Sequence, residues 1–137
     1  MTQPIPAWVA PSARDLTRTY MMAQLALRGI PNTVTWTTSI PNPRPAKVFT
    51  IEELNSATEY GVFADAQMIQ IRYYDPDVKK LTETMRLLKA LWKVMPAERK
   101  VQDVEHAGGP LYDEDPDVPG LRYGQVISWV TVMTQLV

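Results

Sequence analysis

The sequence predicts an α+β fold: a mostly antiparallel sheet of four to five strands packed with two α-helices in the order α-β-β-β-α-β-β. Three observations predict it. Two segments carry apolar residues at three- and four-residue spacing between capping and breaking signals. Several runs of β-branched and aromatic residues alternate with a period of two. The strand-like runs fall in groups, three between the two helices and two after the second. A chain of 137 residues with 45% hydrophobic content is long enough to bury one core, so one domain over residues 1–137 is expected.

Residues 1–11, rich in proline, read as an extended N-terminal segment. Ser12 can cap a helix that runs without Pro or Gly to about Arg28, where Gly29 and Pro31 stop it. Ala13, Leu16, Tyr20, Ala23 and Leu27 recur as its expected buried stripe. Met21, Met22 and Leu25 lie off that stripe and point to a second contact surface. "TVTWTTSI" after Pro31 is the first strand, and Pro41, Pro43 and Pro45 make residues 41–46 a stiff loop. "AKVFTIEEL" reads as a second strand and "AQMIQIRYY" as a third, with the polar stretch Asn55 to Asp65 as a long loop between them.

The strongest periodic signal is "PDVKKLTETMRLLKALWKVMP". Val78, Leu81, Met85, Leu88, Trp92 and Met95 share one side of a helix that Asp75 or Asp77 can cap and Pro96 ends. Leu87, Leu91 and Val94 widen its apolar arc. "KVQDVEHA" follows as a fourth strand, residues 107–121 as a loop, and "LRYGQVISWVTVMTQL" as a long fifth strand. That last strand carries Ile127, Trp129 and Met133 on one side and Val126, Val130 and Val132 on the other, the pattern of a strand covered on both faces. In a chain this small, a second subunit is the available cover.

Composition narrows the function classes. Fourteen basic and fifteen acidic residues leave a net charge of -1, which gives no overall pull toward phosphate backbones or anionic lipid. Sequence-specific nucleic-acid binding is therefore not expected. Without cysteine there is no thiolate metal site and no disulfide, and His106 as the only histidine excludes multi-histidine zinc sites and paired-imidazole mechanisms. The N-terminus lacks the basic residue and apolar run of a signal peptide, and no apolar stretch reaches spanning length, so no membrane partner is expected.

The stretch "HAGGPLYDEDPDVPGLRY" gathers Asp113, Glu114, Asp115 and Asp117. Four carboxylates can in principle hold a hard cation, and a small metal-dependent enzyme using this loop is the distant alternative. The EF-hand spacing is missing, and an acidic, proline-containing connection is the ordinary solvated loop. Asp-Pro-Asp at residues 75–77 is turn and cap chemistry, Glu52 and Glu53 are a solvated strand end, and Gly108-Gly109-Pro110 suits a sharp turn rather than a phosphate cradle. Neither catalytic residues, a cofactor nor a metal is expected. Trp36, Trp92 and Trp129 fall within predicted elements and read as core or subunit interface, whereas Trp8 is free to anchor a partner.

An early amphipathic helix, a Thr- and Val-rich strand, "QMIQIRYYDPD" running straight into "VKKLTETMRLLKAL", and then "VEHAGGPLYDEDPDVPGLRYGQVISWVTV" together resemble the tail terminator proteins of long-tailed bacteriophages. The Gly-Pro break and the Arg-Tyr pair that opens the last strand stand here at Gly109, Pro110, Arg122 and Tyr123. The likeness runs from about Arg14 to Val132; the longer Pro-rich segment Asn42 to Pro45 departs from it. The resemblance implies a non-enzymatic virion protein of the tail neck, assembled in the host cytoplasm. Such a protein forms a ring, usually a homo-hexamer, on the finished end of the tail tube. Its implied partners are further copies of itself, the major tail tube protein and a head-side connector or stopper protein, around a lumen through which DNA can pass. Another neck or head-tail completion protein is the nearest alternative. On this reading Arg44, Lys47 and Glu59 in the long loops, with Asp113, Glu114, Asp115 and Asp117 in the acidic loop, are the expected partner-facing residues.

Overall fold

The fold begins with a short strand, β1 (Trp8–Val9), and a helix, α1 (Ala13–Ala26), in a computed structural model that describes residues 2–31, 33–97 and 100–137, with the side chains of 56–60 excepted. Ser12 caps α1 as expected, its Oγ accepting from the Asp15 amide at 3.2 Å. A second cap comes from the sheet. The buried side chain of Gln67 accepts from the Ala13 amide at 2.9 Å and donates to the Pro11 carbonyl at 3.0 Å, tying the helix start to the strand beneath it. Met21 and Leu25 are core residues, whereas Leu27 is 78% exposed. The buried line differs in phase from the expected stripe because Thr17, a polar residue, is itself buried: Ala13, Thr17, Tyr20, Met21 and Leu25 face inward. The second contact surface expected at Met21, Met22 and Leu25 is therefore largely absorbed by the core.

After β2 (Thr35–Thr37) come β3 (Val48–Tyr60) and β4 (Ala64–Tyr74). The long loop expected over Asn55 to Asp65 is instead the distal half of a β-hairpin, with Tyr60 opposite Ala64 and Gly61 at positive φ in the turn. Polar composition suggested a loop, but β4 is paired with a neighbour along its whole length and so offers a straight template for β3. The extra residues are taken up as irregularities between Glu53 and Thr58.

Asp77 caps α2 (Val78–Val94), accepting from the amides of Lys79 and Lys80 at 3.0 and 3.3 Å. Leu81, Met85, Leu88 and Trp92 point inward as the periodicity demands, joined by Leu91; Val78 and Val94 are exposed. A 3₁₀ turn (Met95–Ala97) leads to β5 (Val101–Glu114), β6 (Arg122–Met133) and β7 (Gln135–Leu136). Here a second boundary needs correction, since the loop expected over 107–121 is strand up to Glu114. Gly108, Gly109 and Pro110 are not a turn; they sit in a register shift of β5 against β6. Gly109 has φ +87, and a Cβ there would run into the backbone of Gln125 and Val126. A proline is tolerated because β5 is an edge strand, where a missing N–H costs no ladder bond on the open side.

The fold is α+β. Five strands lie in the order β2-β3-β4-β6-β5, antiparallel except for β2 with β3, while β1 and β7 pair the two ends of the chain in a separate two-stranded sheet. Both helices pack on one face of the large sheet, where Ile69, Ile71, Val126, Val130 and Val132 meet Met21, Leu81, Met85, Leu88 and Trp92. At one end, Trp36, Phe49 and Tyr73 stack successively with ring centroids 4.2 Å apart, extending the core toward β2.

Candidate functional site

Residues directly opposite on paired strands present their side chains to the same face. The register of β4 with β6 puts Ile71 beside Val126 and Gln67 beside Val130 on the helix-covered face. Arg72 and Gln125, Gln70 and Ile127, and Met68 and Trp129 therefore share the other face. No helix of the described residues lies over that second face. Met68, Ile127 and Trp129 are half-buried there, Leu111 and Met133 are exposed beside them, and Asp103, Glu105 and Asp113 line the β5 edge. Polar contacts order part of this surface. Gln70 donates to Glu52 at 2.9 Å, and Arg72 donates to Gln125 at 2.8 Å while lying over the Tyr123 ring at 5.0 Å. The sequence carried this signal in the two-sided apolar alternation of β6, but not the location of the helices that leaves one side bare.

The loops at one end of this sheet are locked to each other. Arg44, in the Pro-rich loop, forms an ion pair and hydrogen bond with Asp115, and its guanidinium lies 5.1 Å from the centre of the Tyr74 ring. Asp115 is only 4% exposed and also accepts from the Asp117 amide at 2.9 Å. Burial alone would raise its carboxyl, but the Asp117 amide, then the Arg44 guanidinium and the Val118 amide, outweigh burial and hold it below the usual carboxylate range. Nearby, Asp75 accepts from the Tyr73 hydroxyl at 2.8 Å and from the Asp77 amide at 2.9 Å. Burial first, and this hydrogen bond second, push the Tyr73 phenol far above its ordinary value.

The seven expected partner-facing residues thus do not form one site. Arg44 and Asp115 come together, but as an intramolecular clasp. The expectation that Asp115 faces a partner is corrected, because a buried carboxylate needs a permanent cation and amide donors, and this chain supplies them. Lys47 is exposed just before β3, on the rim of a groove with Arg28, Asp75 and Lys80. Asp113 and Glu114 are exposed at the end of β5 opposite Tyr123 and Arg122, and Asp117 is exposed in the following turn. Glu59 stands opposite Asp65 in the β3–β4 hairpin, and its side chain lies outside the described residues. His106 is exposed opposite Ser128, and among the described residues no three metal-ligating side chains converge.

A smaller apolar corner was not anticipated beyond Trp8. The pairing of β1 with β7 sets Trp8 beside Leu136, and the Trp8 ring meets Phe63 edge-on at 5.1 Å. The Phe63 carbonyl accepts from the Thr134 amide at 2.9 Å, so the β3–β4 turn is held against the strand end. Trp8, Val62, Phe63 and Leu136 all remain substantially exposed. Among the described residues, no helix is long and apolar enough to cross a membrane. Compared with known proteins, the chain matches no family model and shows no significant similarity to a curated protein.

Proposed function

We propose that this chain is a structural, non-enzymatic subunit that assembles with copies of itself into a ring and caps a phage tail tube. The observation that carries the reading is the bare sheet face. A small domain with two helices on one side of its sheet and Met68, Ile127 and Trp129 half-open on the other has an apolar surface that assembly can cover. The exposed corner around Trp8 and Phe63 adds a second, separate apolar patch. A bare face on one side of a subunit suits a heterologous contact, in which it meets a different surface of the next copy and closes into a ring when the rotation per subunit divides a full turn. The resemblance of the sequence to tail terminators supplies the biological setting.

Capping follows from asymmetry between the two ends of such a ring. One end must match the docking surface of a tube subunit, while the other must lack whatever accepts the next tube subunit and instead receive the head-side connector. The clasp of Arg44 with Asp115 gives one loop cluster a fixed shape, which lowers the ordering cost of docking. The test is genetic and visual: removal of the chain is expected to give tails of uncontrolled length, and tails of normal length in its absence reject the reading.

A further inference from the structure

The net charge of -1 conceals a separation of charge across the molecule. Along α2, Lys79, Arg86 and Lys93 recur every seventh residue, two helical turns apart, and all three are exposed on the side facing away from the sheet. They form a basic ridge roughly 21 Å long at 1.5 Å per residue, in which exposed Glu83, between Lys79 and Arg86, is the one carboxylate. On the opposite side of the molecule, Asp103, Glu105 and Asp113 are exposed along β5 and share the bare sheet face with Trp129 and Tyr123. Their partners on β6, from Thr131 to Tyr123, place the ends of this acidic row about 27 Å apart at 3.4 Å per residue. Arg72, a cation on the same face, is already engaged by Gln125 and Tyr123. Among the described residues, none of the six ridge and row charges takes part in an ion pair.

We infer that the occupant of the bare sheet face is the α2 ridge of a second copy of this chain, front to back, with Lys79, Arg86 and Lys93 facing Asp103, Glu105 and Asp113. This deepens the ring reading and rests on it. The two rows are comparable in length and opposite in sign. Apolar side chains flank each of them, Val78 and Val94 on the helix and Leu111 and Met133 on the sheet, so charge matching can accompany apolar burial. Two bare faces cannot meet each other as readily, because that contact opposes acidic row to acidic row. Two α2 ridges suffer the same repulsion with the sign reversed. Only the front-to-back contact uses both surfaces of every subunit, and it is the heterologous kind that a ring needs.

The inference is tested by charge reversal read by sedimentation velocity at low ionic strength, where exposed charges are screened least. One variant carries Lys79→Glu, Arg86→Glu and Lys93→Glu, and the other Asp103→Lys, Glu105→Lys and Asp113→Lys. Wild-type chain is expected to self-associate, more weakly as salt rises. Each variant alone is expected to associate at least about tenfold more weakly, since every contact now sets like charges together. An equimolar mixture is expected to regain wild-type association, because the reversed ridge of one variant then faces the reversed row of the other, and their two unreversed surfaces face each other, so every contact again pairs opposite charges. If either triple variant melts at a lower temperature, Arg86→Glu and Glu105→Lys alone serve the same design. A wild-type chain that stays monomeric, variants that associate like wild type, or a mixture that does not recover would each overturn the contact. Failure here combined with uncontrolled tail length on deletion removes only this contact; normal tail length on deletion removes the ring reading beneath it.

Discussion

Gly109 and Asp115 show how single side chains, or their absence, set the loop corner. The backbone of Gly109 has positive φ and lies against Gln125 and Val126 of β6, so Gly109→Ala meets both a disfavoured conformation and a backbone collision. We expect it to cost about 2–4 kcal/mol, read as a lowered denaturant midpoint; an unchanged midpoint would show that β5 can slide away from β6. Asp115→Asn removes the charge that Arg44 faces. Because the Arg44 side chain is 23% exposed and water can take up part of its loss, the expected cost is about 1–3 kcal/mol, less than for a fully buried pair. The linkage has a definite sign. The carboxyl of Asp115 is held below its model-peptide value of 3.8, so the stabilisation is complete above that pH and is lost as pH falls through the lower folded value. Wild-type stability should therefore drop more steeply in that acid window than that of Asp115→Asn; parallel pH profiles would contradict the clasp. The sequence displayed both residues but not their roles. Asp115 is buried where its neighbours Asp113 and Glu114 are exposed, and it meets Arg44, 71 positions away; nothing local announces that pairing.

At the scale of elements, the two helices were legible to different degrees for a physical reason. In α2 every inward position except Thr84 is apolar, so periodicity alone found the buried side. In α1 a buried threonine interrupts the line, so apolar periodicity alone places Met21 and Leu25 off the buried side. Truncation separates the two phases: Met21→Ala and Leu25→Ala should each cost about 2–4 kcal/mol, while Leu27→Ala should change stability by no more than about 0.5 kcal/mol. Thermal unfolding measures this directly, and a large loss at Leu27 would restore the original stripe. The strands err in the other direction. Both boundaries that differ, in β3 beyond Asn55 and in β5 beyond Ala107, lie where composition is polar or glycine-rich but a neighbouring strand supplies backbone partners on either side of the register shifts. Strand formation is set by pairing across the sheet, so it extends past the residues that favour it locally.

For the whole molecule, the α+β class and the position of α2 between the strand groups followed from pattern, but the sheet order, with β6 inserted between β4 and β5, has no local signature. The seven residues expected to face partners are charged loop residues, and they scatter. The surface that best suits assembly instead lies on regular strands, where two-sided alternation in β6 already hinted at it. Ile127→Lys puts a charge in the middle of that face while leaving the helix-covered core untouched. It is expected to change monomer stability by less than about 1 kcal/mol and to abolish self-association in sedimentation; association at wild-type strength would place the contact elsewhere. The ring reading itself meets its most direct test in electron microscopy of tail tubes assembled with and without this chain. Uniform tubes, each closed at one end by a ring of this protein, are expected when it is present, and tubes of unregulated length when it is absent; tubes of the same length distribution in both samples, with no ring at either end, would contradict the ring reading.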